Sequence, residues 1–394
     1  MRKEIRFLVV IHLLVLFISG VWIPSSLCAQ EVRVGAMQTT SYLPMMKGER
    51  VAVVANPGST CGRTHLVDTL IASGVNVVSV FAPEHGFRGE AEAGEKVKDG
   101  RDARTGVKVI SLYGDHKKPV GTDLDSTDRV VFDLQDVGVR FYTYISTLQY
   151  VMEACARRSI PVIVLDRPNP HGHYIDGPLL EEKHRSFVGM QMIPVVHGMT
   201  VGEYAQMLNG ERWLEDSLQC DLTVIQITGW KRGVPYIIPV PPSPNLPDMR
   251  SIMLYPSLCF FEGTNVSLGR GTDFPFQVYG FPGYNKGDFE FIPRSIPGKA
   301  KTPLYEGQVC KGRDLRKWVD QNPPDRLHLE WLVDAWRNYP KEDRFFNAFF
   351  EKLAGTDRLR KQIESGMSES EIRASWKTGL SAFSKIREKY LLYP

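Results

Sequence analysis

Between residues 50 and 165 five short β-branched runs alternate with segments of helix length: "VAVVANP", "VNVVSVFAPEH", "VKVISLYGD", "RVVFDLQD" and "IPVIVLDRP". Runs that are apolar throughout, separated by helical patterns, predict a parallel sheet covered by helices on both faces, so the expected fold class is α/β. Each run ends in a polar, turn-rich tail: "NPGST", "PEHGFRGE", "YGDHKK", "DLQDVG" and "DRPNPHG". Open α/β sheets bind ligands at the carboxyl ends of their strands, so the five tails should line one rim.

The intervening segments "THLVDTLIASG", closing at Gly74, and "YISTLQYVMEACARR" carry apolar residues at helical spacing and are expected to cover the sheet. Further on, Thr200 and Glu203 spell a capping box for "TVGEYAQMLNGERW", and "DLTVIQITGW" reads as another strand. The prolines of "VPYIIPVPPSPNLPDM" continue neither a helix nor a central strand, so this stretch reads as a linker. A chain of 394 residues exceeds one small core, and two domains are expected, over 45–250 and 251–394. In the second, Ser368 and Glu371 cap a final helix whose Ile372, Trp376, Leu380, Phe383, Ile386 and Tyr390 form one packing stripe.

The first residues, "MRKEIRFLVVIHLLVLFISGVWIPSSLCAQ", set Arg2, Lys3 and Arg6 before an apolar run from Phe7 to Ile18, then Pro24 and small residues up to Ala29. That order is a secretory signal over residues 1–29, and the expected location is exported, periplasmic or secreted. The alternatives are a membrane anchor, since Phe7 to Ile23 nearly reaches the roughly 20 residues of a bilayer span, and lipidation of Cys28 within "SSLC". Beyond it Cys61, Cys155, Cys220, Cys259 and Cys310 are scattered, odd in number and free of any CxxC pair, so thiols are expected rather than a disulfide frame or zinc knuckle. With 48 basic against 45 acidic side chains and no run of like charge, nucleic acid is excluded as a partner.

Chemistry concentrates in three loops. In "FAPEHGFRGEAEAGE" an apolar strand runs into Glu84, His85, Arg88, Glu90, Glu92 and Glu95. Crowded, partly buried carboxylates raise one another's proton affinity, so one can stay protonated while another is ionised, as glycosidic bond cleavage requires. Glu84, nearest the strand end, is the best anchored. In "FDLQDVGVRFYTYISTL", Asp133, Gln135, Asp136 and Arg140 precede Phe141, Tyr142 and Tyr144, polar groups for hydroxyls beside rings for sugar faces. In "FFEGTNVSLGRGTDFPFQ", Glu262, Asn265 and Arg270 stand among glycines, but no "GK[ST]" follows, which argues against a nucleotide site. His171, His173, His184 and His197 are too irregular to specify zinc, and Asp166 with Arg167 reads as a structural pair as readily as a site. No cofactor is indicated.

These three loops, with "LDRPNP", "PNLPDM" before "YPSLCFFEG", and the closing "FSKIREKYLLYP", resemble the NamZ-type exo-β-N-acetylmuramidases over about residues 45–394. The resemblance implies a Rossmann-like amino-terminal domain, a smaller carboxy-terminal α/β (α+β) domain and an active-site cleft between them. It implies removal of terminal N-acetylmuramic acid from non-reducing ends of peptidoglycan-derived MurNAc-GlcNAc saccharides. By motif it carries catalytic roles to Glu84, Glu92 and Glu262, and substrate contacts to His85, Arg88, Glu95, Asp133, Gln135, Asp136, Arg140, Tyr142, Tyr144, Asn265 and Arg270. The family loop often has Asp where this chain has Glu92. The lactyl carboxylate of muramic acid calls for a guanidinium, with Arg140 or Arg270 as the expected partner. A non-catalytic periplasmic muropeptide-binding protein is the alternative from another class; an esterase would normally show a GxSxG elbow, which is absent.

Overall fold

A computed structural model describes residues 31–88 and 99–394. The expected runs form β1 (Arg50–Ala55), β2 (Asn76–Ala82), β3 (Lys108–Ser111), β4 (Arg129–Asp133), β5 (Val162–Leu165) and β6 (Leu222–Ile225). They lie parallel in the order β3-β2-β1-β4-β5-β6, and Gly100–Arg101 adds an antiparallel edge beside β3. This is the Rossmann order, wound outward in both directions from β1. The runs are apolar throughout because both faces are buried: Ala52, Val54, Val130 and Phe132 enter one core, while Val51, Val53 and Val131 enter another.

Helices α1 (Leu66–Ala72), α2 (Tyr144–Ala156) and α3 (Val201–Gly210) pack on this sheet. The expected capping box is present at α3, where Thr200 accepts from the Glu203 amide and the Glu203 carboxylate accepts from the Thr200 amide. Helix α2 is buried on almost every side rather than on one stripe, because other segments cover its outer face. Gln149 meets Gln191, Tyr150 stacks on Phe187, and Glu153 takes the Lys118 ammonium at 2.6 Å.

The proline-rich stretch has no helix or strand, yet it is a wall rather than a tether. The Pro242 carbonyl accepts from the hydroxyls of both Tyr142 (2.7 Å) and Tyr144 (3.3 Å), and Asn245 and Leu246 are buried. Helix α4 (Met249–Leu258), capped by Asp248, then leads into a smaller domain. That domain holds the antiparallel strands β7 (Val278–Phe281), β8 (Phe289–Phe291) and β9 (Cys310–Asp314), with β9 in the middle, and the helices α5 (Leu329–Asn338), α6 (Phe350–Ala354), α7 (Glu369–Ala374) and α8 (Lys377–Arg387). One apolar core runs through both domains, with Phe141 edge-on to Tyr255 and Phe260.

The final helix expected from the sequence is two helices. Its capping box at Ser368 is present, but the Ser375 hydroxyl donates to the Ile372 carbonyl at 2.6 Å, and the Trp376 amide reaches back only to Arg373. Beyond α8 the chain returns to the first domain, where the Tyr393 hydroxyl donates to Asp166 (2.6 Å) and the Leu392 amide to Glu203 (2.8 Å). Among the described residues no helix is long and apolar enough to cross a membrane. The expected signal over residues 1–29, and Cys28 with it, lies outside them.

Candidate active site

A cavity of about 520 Å³ opens where the carboxyl ends of β2 and β3 face the second domain. Glu84 and His85 reach it from the tail of β2, Tyr113 and Lys117 from the tail of β3, and Phe141, Tyr142 and Tyr144 from the segment entering α2. Across it stand Tyr255 and Cys259 at the end of α4, then Glu262, Arg270 and Phe276. The volume is that of a small-molecule site, and the positive end of the α2 dipole abuts it.

The β2 tail turns sharply. The Gly86 amide returns to the Pro83 carbonyl (3.1 Å), and between them His85 holds a φ of 74°, a left-handed conformation that a non-glycine residue adopts at a cost of order 1 kcal/mol. The turn buries the His85 ring and leaves Glu84 half-buried at the cavity wall. Burial first, and the Arg270 charge second, push the His85 pKa down to about 4, so the ring is neutral at pH 7. Glu84 shares a hydrogen bond with the Tyr113 hydroxyl, whose pKa is raised by burial first and by the Glu84 charge second. Tyr113 therefore stays protonated and donates.

Glu262 is clamped from both sides. Two nitrogens of the Arg270 guanidinium meet Oε1, with Nε at 2.9 Å, and the Cys259 thiol donates to Oε2 at 3.6 Å. Burial first, and the Glu262 charge second, hold the thiol pKa well above its ordinary value, so sulfur remains an S–H donor. The guanidinium lies 5.3 Å from the centre of the Phe276 ring.

Of the residues expected at the site, Glu84, His85, Tyr142, Tyr144, Glu262 and Arg270 line this one cavity. Glu92 and Glu95 lie outside the described residues. The other six are framework. Arg88 turns away to Asp102 (2.7 Å) and Asp68 (2.9 Å). Asp133 takes the Arg167 guanidinium through both oxygens (2.6 and 2.8 Å), while only the Arg167 backbone amide donates to its neighbour Asp166. Gln135 donates to the carbonyls of Asp136 and Pro168. Asp136 is fully buried, accepts from the Gly138 amide (2.6 Å) and lies 3.9 Å from His197; burial raises its pKa to about 7. Arg140 donates to four backbone carbonyls and is not among the residues that line this cavity, with Gly355 lying so close that an added Cβ would sit 2.6 Å from its Nη2. Asn265 is bonded to the Arg344 carbonyl. A polar side chain beside a motif strand end serves the fold when a distant acceptor meets it first.

Sequence reasoning passed over Tyr113, Lys117, Cys259 and Lys352, which also line the cavity. Tyr113 and Lys117 belong to "YGDHKK", one of the five tails, so the rim pattern carried their signal; Cys259 and Lys352 had none. Glu181, His184 and Asp357 come within metal-ligand spacing of one another, but Lys183, Arg358 and Lys361 already neutralise both carboxylates. Among the described residues five cysteines are free: Cys155, Cys220, Cys259 and Cys310 are buried, and Cys61 is half-buried.

Fold and cavity define a class: a two-domain α/β protein that holds carboxylates from both domains in a sugar-sized pocket at the rim of a Rossmann-ordered sheet. Within that class, the chain belongs to the exo-beta-N-acetylmuramidase NamZ family, matching its N-terminal part over residues 51–250 and its C-terminal part over residues 253–393. The chain is 40% identical over 374 residues, 89% of each protein, to the peptidoglycan beta-N-acetylmuramidase NamZ of Bacillus subtilis. It resembles a crystal structure of a DUF1343 family protein from Bacteroides fragilis (TM-score 0.84, 46% identity) that covers 92% of this chain and 99% of that one. A second DUF1343 family protein from the same organism matches over the same shares with TM-score 0.79 and 28% identity.

Proposed function

We propose that this chain is a glycoside hydrolase that removes terminal β-linked N-acetylmuramic acid from the non-reducing ends of peptidoglycan fragments, and that it works outside the cytoplasm. One observation carries the reading: in a member of an exo-muramidase family, Glu84 and Glu262 come from different domains and line the same cavity. Export is supported by the signal-like order of residues 1–29.

The roles follow from the surroundings. Arg270 and the Cys259 thiol hold Glu262 in place, where it is fit to stabilise or attack the sugar carbon as positive charge develops there. Glu84, half-buried at the cavity wall formed by the first domain, is the group placed to protonate the departing glycosidic oxygen. Tyr113, Phe187 and Phe349, the half-buried rings of the cavity, supply ring surface for the apolar faces of the sugar, while Tyr142, Tyr144 and Phe276 are packed into the wall behind them.

Glu84→Gln and Glu262→Gln, made singly, should each lower kcat on a chromogenic N-acetylmuramic acid glycoside by about 10²–10⁴-fold with Tm unchanged. Wild-type rates in both variants, with the fold intact, would end the assignment.

A further inference from the structure

We infer that Lys117 and Lys352 form a subsite for a carboxylate carried by the bound sugar, and so select an acidic sugar over a neutral one of the same shape. The inference deepens the hydrolytic reading and rests on it. A muramic acid residue bears a lactyl carboxylate, and an anion that leaves water for a cavity needs a cation to receive it.

The described cavity residues offer three cations: Arg270, Lys117 and Lys352. Arg270 is occupied by Glu262. His85 is neutral at pH 7, and Arg140, the guanidinium the sequence suggested, is shut in the core on four carbonyls. That leaves the two lysines. Lys117, half-buried on the tail of β3, holds its ammonium 5.1 Å from the centre of the Phe187 ring, and Lys352 projects from α6 in the other domain. Among the described residues neither forms an ion pair with a carboxylate, although both face a cavity that already holds Glu84 and Glu262. Phe187 shields the Lys117 ammonium from part of its water, which strengthens attraction to an anion, while Lys352 is exposed on the facing wall, which Phe349 also lines. Since the lysines come from different domains, a carboxylate between them also ties the domains across the ligand.

The test uses the full protein, N-acetylmuramic acid, and its methyl ester, which keeps the shape and loses the charge. By calorimetry the wild type should bind the acid at least about tenfold more tightly than the ester, the worth of one charge-assisted hydrogen bond. Lys117→Gln/Lys352→Gln should bind both alike, at the affinity of the ester, while Lys117→Arg/Lys352→Arg keeps the preference. A wild type indifferent to the charge, or a double glutamine variant that still prefers the acid, overturns the proposal. A wild type that prefers the acid but cleaves no muramic acid glycoside leaves the subsite standing and overturns the hydrolytic reading.

Discussion

Replacing Arg140 by methionine separates two accounts of this residue. A guanidinium that grips substrate would, once removed, weaken binding and leave stability nearly untouched. Here Nη1 donates to the carbonyls of Pro178 (2.9 Å) and Ile193 (2.7 Å), and Nη2 to those of Leu353 (3.0 Å) and Ala354 (2.8 Å), so one side chain bonds two carbonyls in each domain. Methionine keeps most of the aliphatic packing and leaves four buried acceptors without that donor. At about 1 kcal/mol for each acceptor the loss sums to about 4 kcal/mol; relief from burying a cation returns part, for a net of about 2–4 kcal/mol. Urea titration should show a lower midpoint at unchanged slope. Hydrogen exchange should rise in α6, which carries Leu353 and Ala354, before it rises in β1. A variant with the wild-type midpoint, wild-type exchange and a raised KM would refute this reasoning and restore Arg140 to the substrate.

Two further outcomes follow from the buried groups. Cys259→Ala should lower kcat by about 3- to 10-fold with little change in KM, the worth of one weak donor to Glu262, and Cys259→Ser should recover it; equal kcat in all three proteins would exclude the thiol from positioning Glu262. Asp136, with its folded pKa raised by burial to about 7, binds a proton in the native state that the unfolded chain releases near pH 4. Wild-type stability should therefore fall relative to Asp136→Asn as pH rises from about 4 to 7, by an order of 2–4 kcal/mol, and run parallel to it outside that window. Urea midpoints collected across pH 3 to 9 check this, and parallel curves throughout would contradict it.

The sheet was legible because a strand buried on both faces leaves no choice of side chain: Val51 to Val54 and Val162 to Leu165 must be apolar throughout, and a run of that kind has few other uses. The caps at Thr200 and Ser368 were legible because each is a local bond spanning three residues. Much of the site was not. Arg140 and Leu353 stand 213 residues apart, and Asp133 and Arg167 stand 34 apart, so nothing near the second motif announces that its charges are already engaged. Lys352, the exposed residue of a short helix whose Phe350, Leu353 and Ala354 are buried, looks like any solvated lysine until the fold sets it at the cavity.

Sequence by itself determined the alternation of strand and helix, the rim where the polar tails collect, and the family. Only the tertiary structure decided which of the rim's charged side chains face a ligand and which face the protein, because a polar group goes to whichever partner the folded chain brings within about 3 Å, and that partner is set by packing rather than by its neighbours in the chain.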